Sequence, residues 1–359
     1  MYLSTHNSNT FLKKTLNNIK SAKQIITLKK NVMKTTFKIF GLTFALILIG
    51  VSFTFGQQLP QFSQYMFNGL HINPAYAGYK NEGYIQSTYR SQWVGFEGAP
   101  ETFTVTADLS ANEGLMGFGA SVMSDKIGPT STTTGLLTYS YRIQTGRESF
   151  LSLGASAGVS QYMIDGDKLN PLHQNDPNLP SGVQNMMTPN MNLGLFYHTN
   201  KFYAGLSAYN LIGKSALEKE DIALAYHDVH FYLTAGVMIP VTDDIQFKPS
   251  FLVKEVKGAP TNYDINGMVL FMDRLWLGAS YRSNVKIWNE NLETTSPSLS
   301  NRNAVAFITE FYATPNLRIG YAYDQNLNVL QDMRTNSHEI SLGFYLSARK
   351  ANMRNPRYF

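Results

Sequence analysis

The chain has 359 residues, of which 43% are hydrophobic and 15% charged, and a formal net charge of +5. The basic excess is local: residues 1–56 hold eight of the 30 Lys and Arg and none of the 25 Asp and Glu, leaving 22 basic against 25 acidic residues, a net of −3, in the remainder. The basic pI therefore gives no support to nucleic-acid binding, and the absence of Cys excludes a lipoprotein signal and a disulfide framework.

The first segment reads as an export signal. Met33 to Lys38 is a basic n-region, Ile39 to Phe55 is an apolar stretch of 17 residues, and Thr54-Phe55-Gly56 puts small residues at −3 and −1 of a cleavage site. A signal peptide is expected over residues 33–56, with the mature protein starting at Gln57. A single transmembrane anchor is the alternative, because this length is at the short limit for spanning; Gly41, Gly50, Ser52 and Thr54 weaken it. Residues 1–32 carry six Lys, no acid and no clear period. They are read as an extension from a misplaced start codon, Met33 being the true start, or else as an extended n-region.

Residues 57–81 are unlike a strand. Asn68, Asn73, Pro74 and Gly78 are turn formers, and Phe62, Tyr65, Phe67 and Tyr76 are aromatic anchors. Such a segment either packs as a plug or offers a docking face for a partner.

Fourteen strand-length segments follow: Glu82–Trp93, Glu101–Leu109, Met116–Asp125, Thr132–Gln144, Ser149–Asp165, Thr188–His198, Phe202–Ile212, Val229–Pro240, Ile245–Glu255, Asn262–Met272, Leu275–Arg282, Asn303–Ala313, Leu317–Gln325 and Ser337–Ala348. Period-two alternation is plain in several. Phe231, Leu233, Ala235, Val237 and Ile239 oppose Tyr232, Thr234 and Gly236; Ile340, Leu342, Phe344 and Leu346 oppose Ser341, Gly343 and Ser347. One apolar face per strand means contact with something greasy on one side only. A soluble sandwich shares this pattern, but its strands usually have about 5–6 residues.

The connections alternate in length. Ala111–Leu115, Thr145–Glu148, Thr199–Lys201, Val241–Asp244, Asp273–Arg274 and Thr314–Asn316 are short. Val94–Pro100, Lys126–Ser131, Gly166–Met187, Gly213–Asp228, Val256–Thr261, Ser283–Arg302 and Asn326–Asn336 are longer. Short periplasmic turns and long outer loops define a transmembrane antiparallel β-barrel. The expected fold is all-β: a barrel of about 14 strands over residues 82–348, a plug-like segment at 57–81, and a basic periplasmic tail at 349–359. That tail, with Arg349, Lys350, Arg354 and Arg357, would face an acidic partner, lipid headgroups or solvent.

Charges on the face opposite the apolar one should line the lumen, because Arg or Lys facing lipid near the midplane costs about 2–4 kcal/mol. They are Asp108, Arg142, Lys248, Lys254, Arg282, Arg318, Asp324 and Glu339. They read first as paired charges filling a polar interior, with a binding or gating surface as the alternative. No catalytic set stands out, and no cofactor or metal is expected. His227 and His230 are three apart, but no acid or Cys arrangement completes a metal site. Asp165-Gly166-Asp167 starts like a calcium loop, yet position six is Asn170 where Gly is needed.

Several stretches carry a family resemblance. The first is Pro60-Gln61-Phe62-Ser63-Gln64-Tyr65-Met66-Phe67-Asn68, followed by Ile72-Asn73-Pro74-Ala75-Tyr76-Ala77-Gly78 and Arg90-Ser91-Gln92-Trp93-Val94-Gly95-Phe96-Glu97-Gly98-Ala99-Pro100. Later ones include Leu275-Trp276-Leu277-Gly278-Ala279-Ser280-Tyr281-Arg282, Leu317-Arg318-Ile319-Gly320-Tyr321-Ala322-Tyr323-Asp324 and the terminal Asn355-Pro356-Arg357-Tyr358-Phe359. In order and density these resemble the PorP/SprF family, outer-membrane barrels of the type IX secretion and gliding machinery of Bacteroidetes. The resemblance implies a protein that helps export or anchor a large secreted surface protein, an adhesin with a C-terminal sorting domain, in some members together with a periplasmic peptidoglycan-linked protein. Arg90, Trp93, Phe96 and Glu97 lead into the first outer loop, where a surface partner would meet them. Two other classes remain open: a diffusion channel or hydrophobic-solute transporter, and an outer-membrane enzyme such as a lipase, for which no Ser–His–acid geometry can be assembled.

Overall fold

Alternation of burial runs along the strands of the computed structural model, which describes residues 59–169, 182–212, 228–257, 259–285, 303–327 and 336–346. The strands are β1 (Tyr84–Ser91), β2 (Glu101–Ala111), β3 (Met116–Ile127), β4 (Thr130–Gln144), β5 (Phe150–Asp165), β6 (Val183–His198) and β7 (Phe202–Tyr209). Then come β8 (His230–Val237, resuming at Ile239–Pro240), β9 (Ile245–Val256), β10 (Thr261–Phe271), β11 (Leu275–Val285), β12 (Ala304–Tyr312), β13 (Leu317–Asn326) and β14 (Ser337–Tyr345). Each pairs antiparallel with its neighbours in sequence. The last pairs with the first, Tyr345 opposite Tyr84 and His338 opposite Ser91, so the sheet closes and has no edge.

The break in β8 has a chemical cause. The register of β8 on β9 is the same on both sides of it, Gly236 opposite Ser250 and Ile239 opposite Phe247. Pro249 sits in β9 between those two rungs and has no N–H to give the ladder.

Outward-facing residues form a lipid-facing wall. Exposed Val122, Leu137, Val159, Leu193, Leu206, Leu233, Ile265 and Ile340 fall in the middle of their strands. Exposed aromatics gather near strand ends: Phe118, Tyr139, Tyr141, Phe202, Phe311 and Phe344 on the short-turn side, Tyr89, Phe103, Phe231 and Tyr281 on the other. Two aromatic girdles around an apolar band are the pattern of a barrel in a bilayer. No described helix is long and apolar enough to cross a membrane.

One expected loop is absent. The residues between β3 and β4 are only Gly128 and Pro129, because both strands run on past Asp125 and Thr132 to pair Ile127 with Thr130. Gly128 has φ +55°, and Gly first is what a two-residue type II′ hairpin turn demands. Likewise β6 starts at Val183, five residues earlier than alternation indicates, and extends a 16-residue ladder with β5. In β7 the strand stops at Tyr209, since Asn210 turns the backbone to φ +59°.

Candidate functional site

The lumen is occupied by the chain's own residues 59–81. Three short 3-10 turns, Tyr65–Phe67, Gly69–His71 and Pro74–Tyr76, fold this stretch. Asn73 caps the third turn by accepting the Ala75 N–H at 2.9 Å, and Pro74 takes the first position, where no N–H is needed. The aromatic anchors Phe62, Tyr65, Phe67 and Tyr76 are all buried. Tyr76 and Tyr79 pack on Phe196 of β6, and Phe67 on Trp276 of β11.

The segment runs from the long-loop end to the short-turn end. Leu59 is held at the former: its N–H donates to His230 Nε2 at 3.0 Å, and its carbonyl accepts from Lys254 Nζ at 3.1 Å. Both partners stand near the long-loop ends of β8 and β9. At the other end Gly78 N–H donates to Asp108 at 2.9 Å, and Arg142 donates to the Gly78 carbonyl and to Asn81 Oδ1 at 3.0 and 2.9 Å. Between them, Asn68 accepts from Thr106, Asn73 donates to the Leu195 carbonyl, Ile72 accepts from Ser207 and Ala77 from Ser140. Tyr65 meets Asn266 at 2.5 Å.

The tightest grip is a charged latch on residues 62–64. Glu339 accepts the backbone N–H of Ser63 at 2.7 Å and of Gln64 at 2.9 Å. Ser63 Oγ donates to Asp324 at 2.7 Å. Arg90 bridges the two carboxylates, 2.6 Å from Asp324 and 3.1 Å from Glu339. Arg282 pairs with Asp264 at 2.9 Å and donates to the Phe62 carbonyl at 3.4 Å. Hydrogen bonds with an ionised partner contribute about 1.5–3 kcal/mol each, more than neutral ones. All five side chains lie near the long-loop ends of β1, β10, β11, β13 and β14.

All eight charges expected in the lumen lie on its wall, none more than 7% exposed. Asp108, Arg142, Lys254, Arg282, Asp324 and Glu339 touch the segment's backbone or its Ser63 side chain. Arg318 pairs with Glu310 and lies over the Phe67 ring, and Lys248 lies between the rings of Tyr203 and Trp276. Arg90 departs from the loop reading. It shares its strand face with Tyr84, Gln86 and Thr88, all buried, so it turns into the lumen and is unreachable by a surface partner. The alternation that starts at Tyr84 puts it on that face. Asp264 and Glu310 are lumen charges that follow the same parity, each in step with buried neighbours on its strand.

Trp93, Phe96 and Glu97 are exposed in the β1–β2 loop. That loop is braced by Val94 N–H on the Asn336 carbonyl and by Gly128 N–H on the Gly98 carbonyl, both at 2.9 Å. His227, Asn170, the leader and the basic tail lie outside the described residues. His230 bonds Leu59 and the Asp228 carbonyl, and among the described residues no group of three His, Asp or Glu could hold a metal.

A closed 14-stranded sheet, apolar outside, girdled with aromatics and polar within, defines an outer-membrane β-barrel. The chain belongs to the PorP/SprF family of type IX secretion system membrane proteins, whose sequence profile matches residues 54–344. No curated protein sequence is significantly similar. Similar solved barrels include the CymD monoaromatic hydrocarbon channel, at 10% identity over 81% of this chain and 93% of that one, TM-score 0.49. A Pseudomonas aeruginosa FadL homologue has 13% identity over 80% and 95%, TM-score 0.46. The Acinetobacter baumannii outer membrane protein Omp33 has 10% identity over 75% and 100%, TM-score 0.43.

Orientation is testable because the chain has no Cys of its own. Glu97→Cys in the β1–β2 loop is expected to react with a membrane-impermeant maleimide on intact cells. Glu148→Cys in the β4–β5 turn should react only after permeabilisation. The opposite pattern would invert the barrel.

Proposed function

We propose that this protein is a non-catalytic outer-membrane component of the type IX machinery that helps export or anchor a large secreted surface protein. The client class is an adhesin with a C-terminal sorting domain. The observation that carries the reading is the lumen: a barrel of a secretion family whose interior is taken up by a segment bonded along the wall has more use as a binding scaffold than as an open pore. The braced, exposed Trp93, Val94 and Phe96 are a fit contact for such a client, since exposed aromatic clusters favour partner binding. On this reading the export signal is removed near Gln57. The basic tail then meets a periplasmic peptidoglycan-linked protein or lipid headgroups, and residues 57–81 act as a plug.

Deleting the gene and comparing surface and secreted proteomes with the parent and a complemented strain tests it. Loss of one or a few large proteins, restored on complementation, is the expected result. An unchanged surface proteome would put solute transport in its place.

A further inference from the structure

The lipid-facing wall carries a hollow across β7 to β10, about 650 Å³ in volume. Phe202, Phe251, Tyr263 and Ile265 stand around it, while Ala235 and Pro249, outward on β8 and β9, are too short to fill the space between them. Ser250, Asp264 and Asn266 also line it, although their side chains are buried inside the barrel, Asp264 on Arg282 and Asn266 on Tyr65. The hollow therefore reaches the backbone of the sheet. Asp264 is the one charged residue of its lining, so no charge faces the lipid side.

The hollow occupies one half of the bilayer. It starts at the rung of Val237, which is opposite Phe202 of the short-turn girdle, and ends at Val253, opposite mid-strand Leu233. Phe231 of the other girdle is opposite Glu255, beyond it. From Val237 to Leu233 is four residues, about 14 Å along the strand, against about 15 Å for half of the ~30 Å hydrocarbon core. A membrane-crossing helix would need a groove along the whole core. A single acyl chain, which enters at the interface and stops at the midplane, matches this length. A chain lying in the hollow gains dispersion contacts on several sides, where chains elsewhere on the wall touch protein on one. The short-turn side is the periplasmic one, so the chain comes from the periplasmic leaflet, whose lipids are phospholipids.

We propose that this hollow is a binding site for one acyl chain of a phospholipid from the periplasmic leaflet. The site is independent of the export reading and survives its failure. The test is native mass spectrometry of the full barrel, delipidated in detergent and then given dioleoyl phosphatidylethanolamine or lipid A at equal concentration. One phospholipid per barrel is expected on the parent and on Gly135→Phe, a control on β4 with nothing within 4 Å of an added Cβ. Ala235→Phe should fill the hollow and lower that occupancy at least fivefold, with heat-modifiable gel migration retained. The smaller Ala235→Leu should lower it too if the first variant does not fold. Adducts that mount without stopping at one would mark ordinary bilayer contact and overturn the proposal. So would equal occupancy in parent and Ala235 variants, no retained phospholipid, or preference for lipid A. A polypeptide that copurifies from native membranes and is released by Ala235→Phe would overturn it as well, by giving the hollow to a protein partner.

Discussion

Glu339→Leu is expected to free the N-terminal segment from the long-loop end of the barrel and to lower stability by about 3–5 kcal/mol, the usual cost of removing one partner from a buried ion pair. Glu339 is fully buried and binds three donors: two consecutive backbone N–H groups and the Arg90 guanidinium. Its loss strands both amides and leaves Arg90 with Asp324 as its one carboxylate in the latch, beside the Ser63 hydroxyl. Urea titration followed by gel migration reads the stability, and limited proteolysis reads release, with new cleavage within residues 59–67. Arg90→Leu should be costly too, but the double variant should fall short of the sum of the single ones, since groups in one network couple by about 0.5–3 kcal/mol. Strict additivity, with the segment still protected from protease, would mean that the latch does not hold it.

The wall was legible from the sequence and the filling only in outline. Strand positions followed from alternation because one face meets lipid: Phe231, Leu233 and Ile239 announce that face whatever lies inside. The lumen charges followed from the same parity. Arg90 is harder to place because it stands one residue short of the strand's end, where the sequence turns into the loop. The β3–β4 turn escaped because outward Thr133 and inward Thr132 and Thr134 look alike in a run of Thr, which hides where pairing stops. What residues 59–81 touch was beyond any pattern. Ser63 reaching Asp324 and Asn73 reaching the Leu195 carbonyl join positions 261 and 122 residues apart, and turn formers with aromatics say only that the stretch is folded and not a strand.

Gly154→Val is expected to expel the segment while the barrel itself still closes. Val is a better strand residue than Gly, so a collision-free site should tolerate or welcome it. At Gly154 an added Cβ would fall on Ala75 N and Cα and on Pro74 C, backbone atoms with no rotamer by which to give way. Gly117 faces the same problem, its Cβ landing on the Ala77 carbonyl oxygen. Gly135 is the control, having nothing within 4 Å of an added Cβ. Overpacking costs about 1–3 kcal/mol and more where nothing can move. Here the cheaper relief is to lift the segment off the wall, since its latch and its hold at Leu59 lie at the far end of the lumen. Planar-bilayer recordings should then show larger ionic conductance for Gly154→Val and Gly117→Val than for the parent, with Gly135→Val matching the parent. Heat-modifiable migration should persist in all of them. If Gly154→Val conducts like Gly135→Val and is as stable, the close approach of segment and wall does not exist in the membrane. If it loses heat-modifiable migration altogether, the segment is part of what makes the barrel close, and the wall cannot be treated as a container folded independently of its contents.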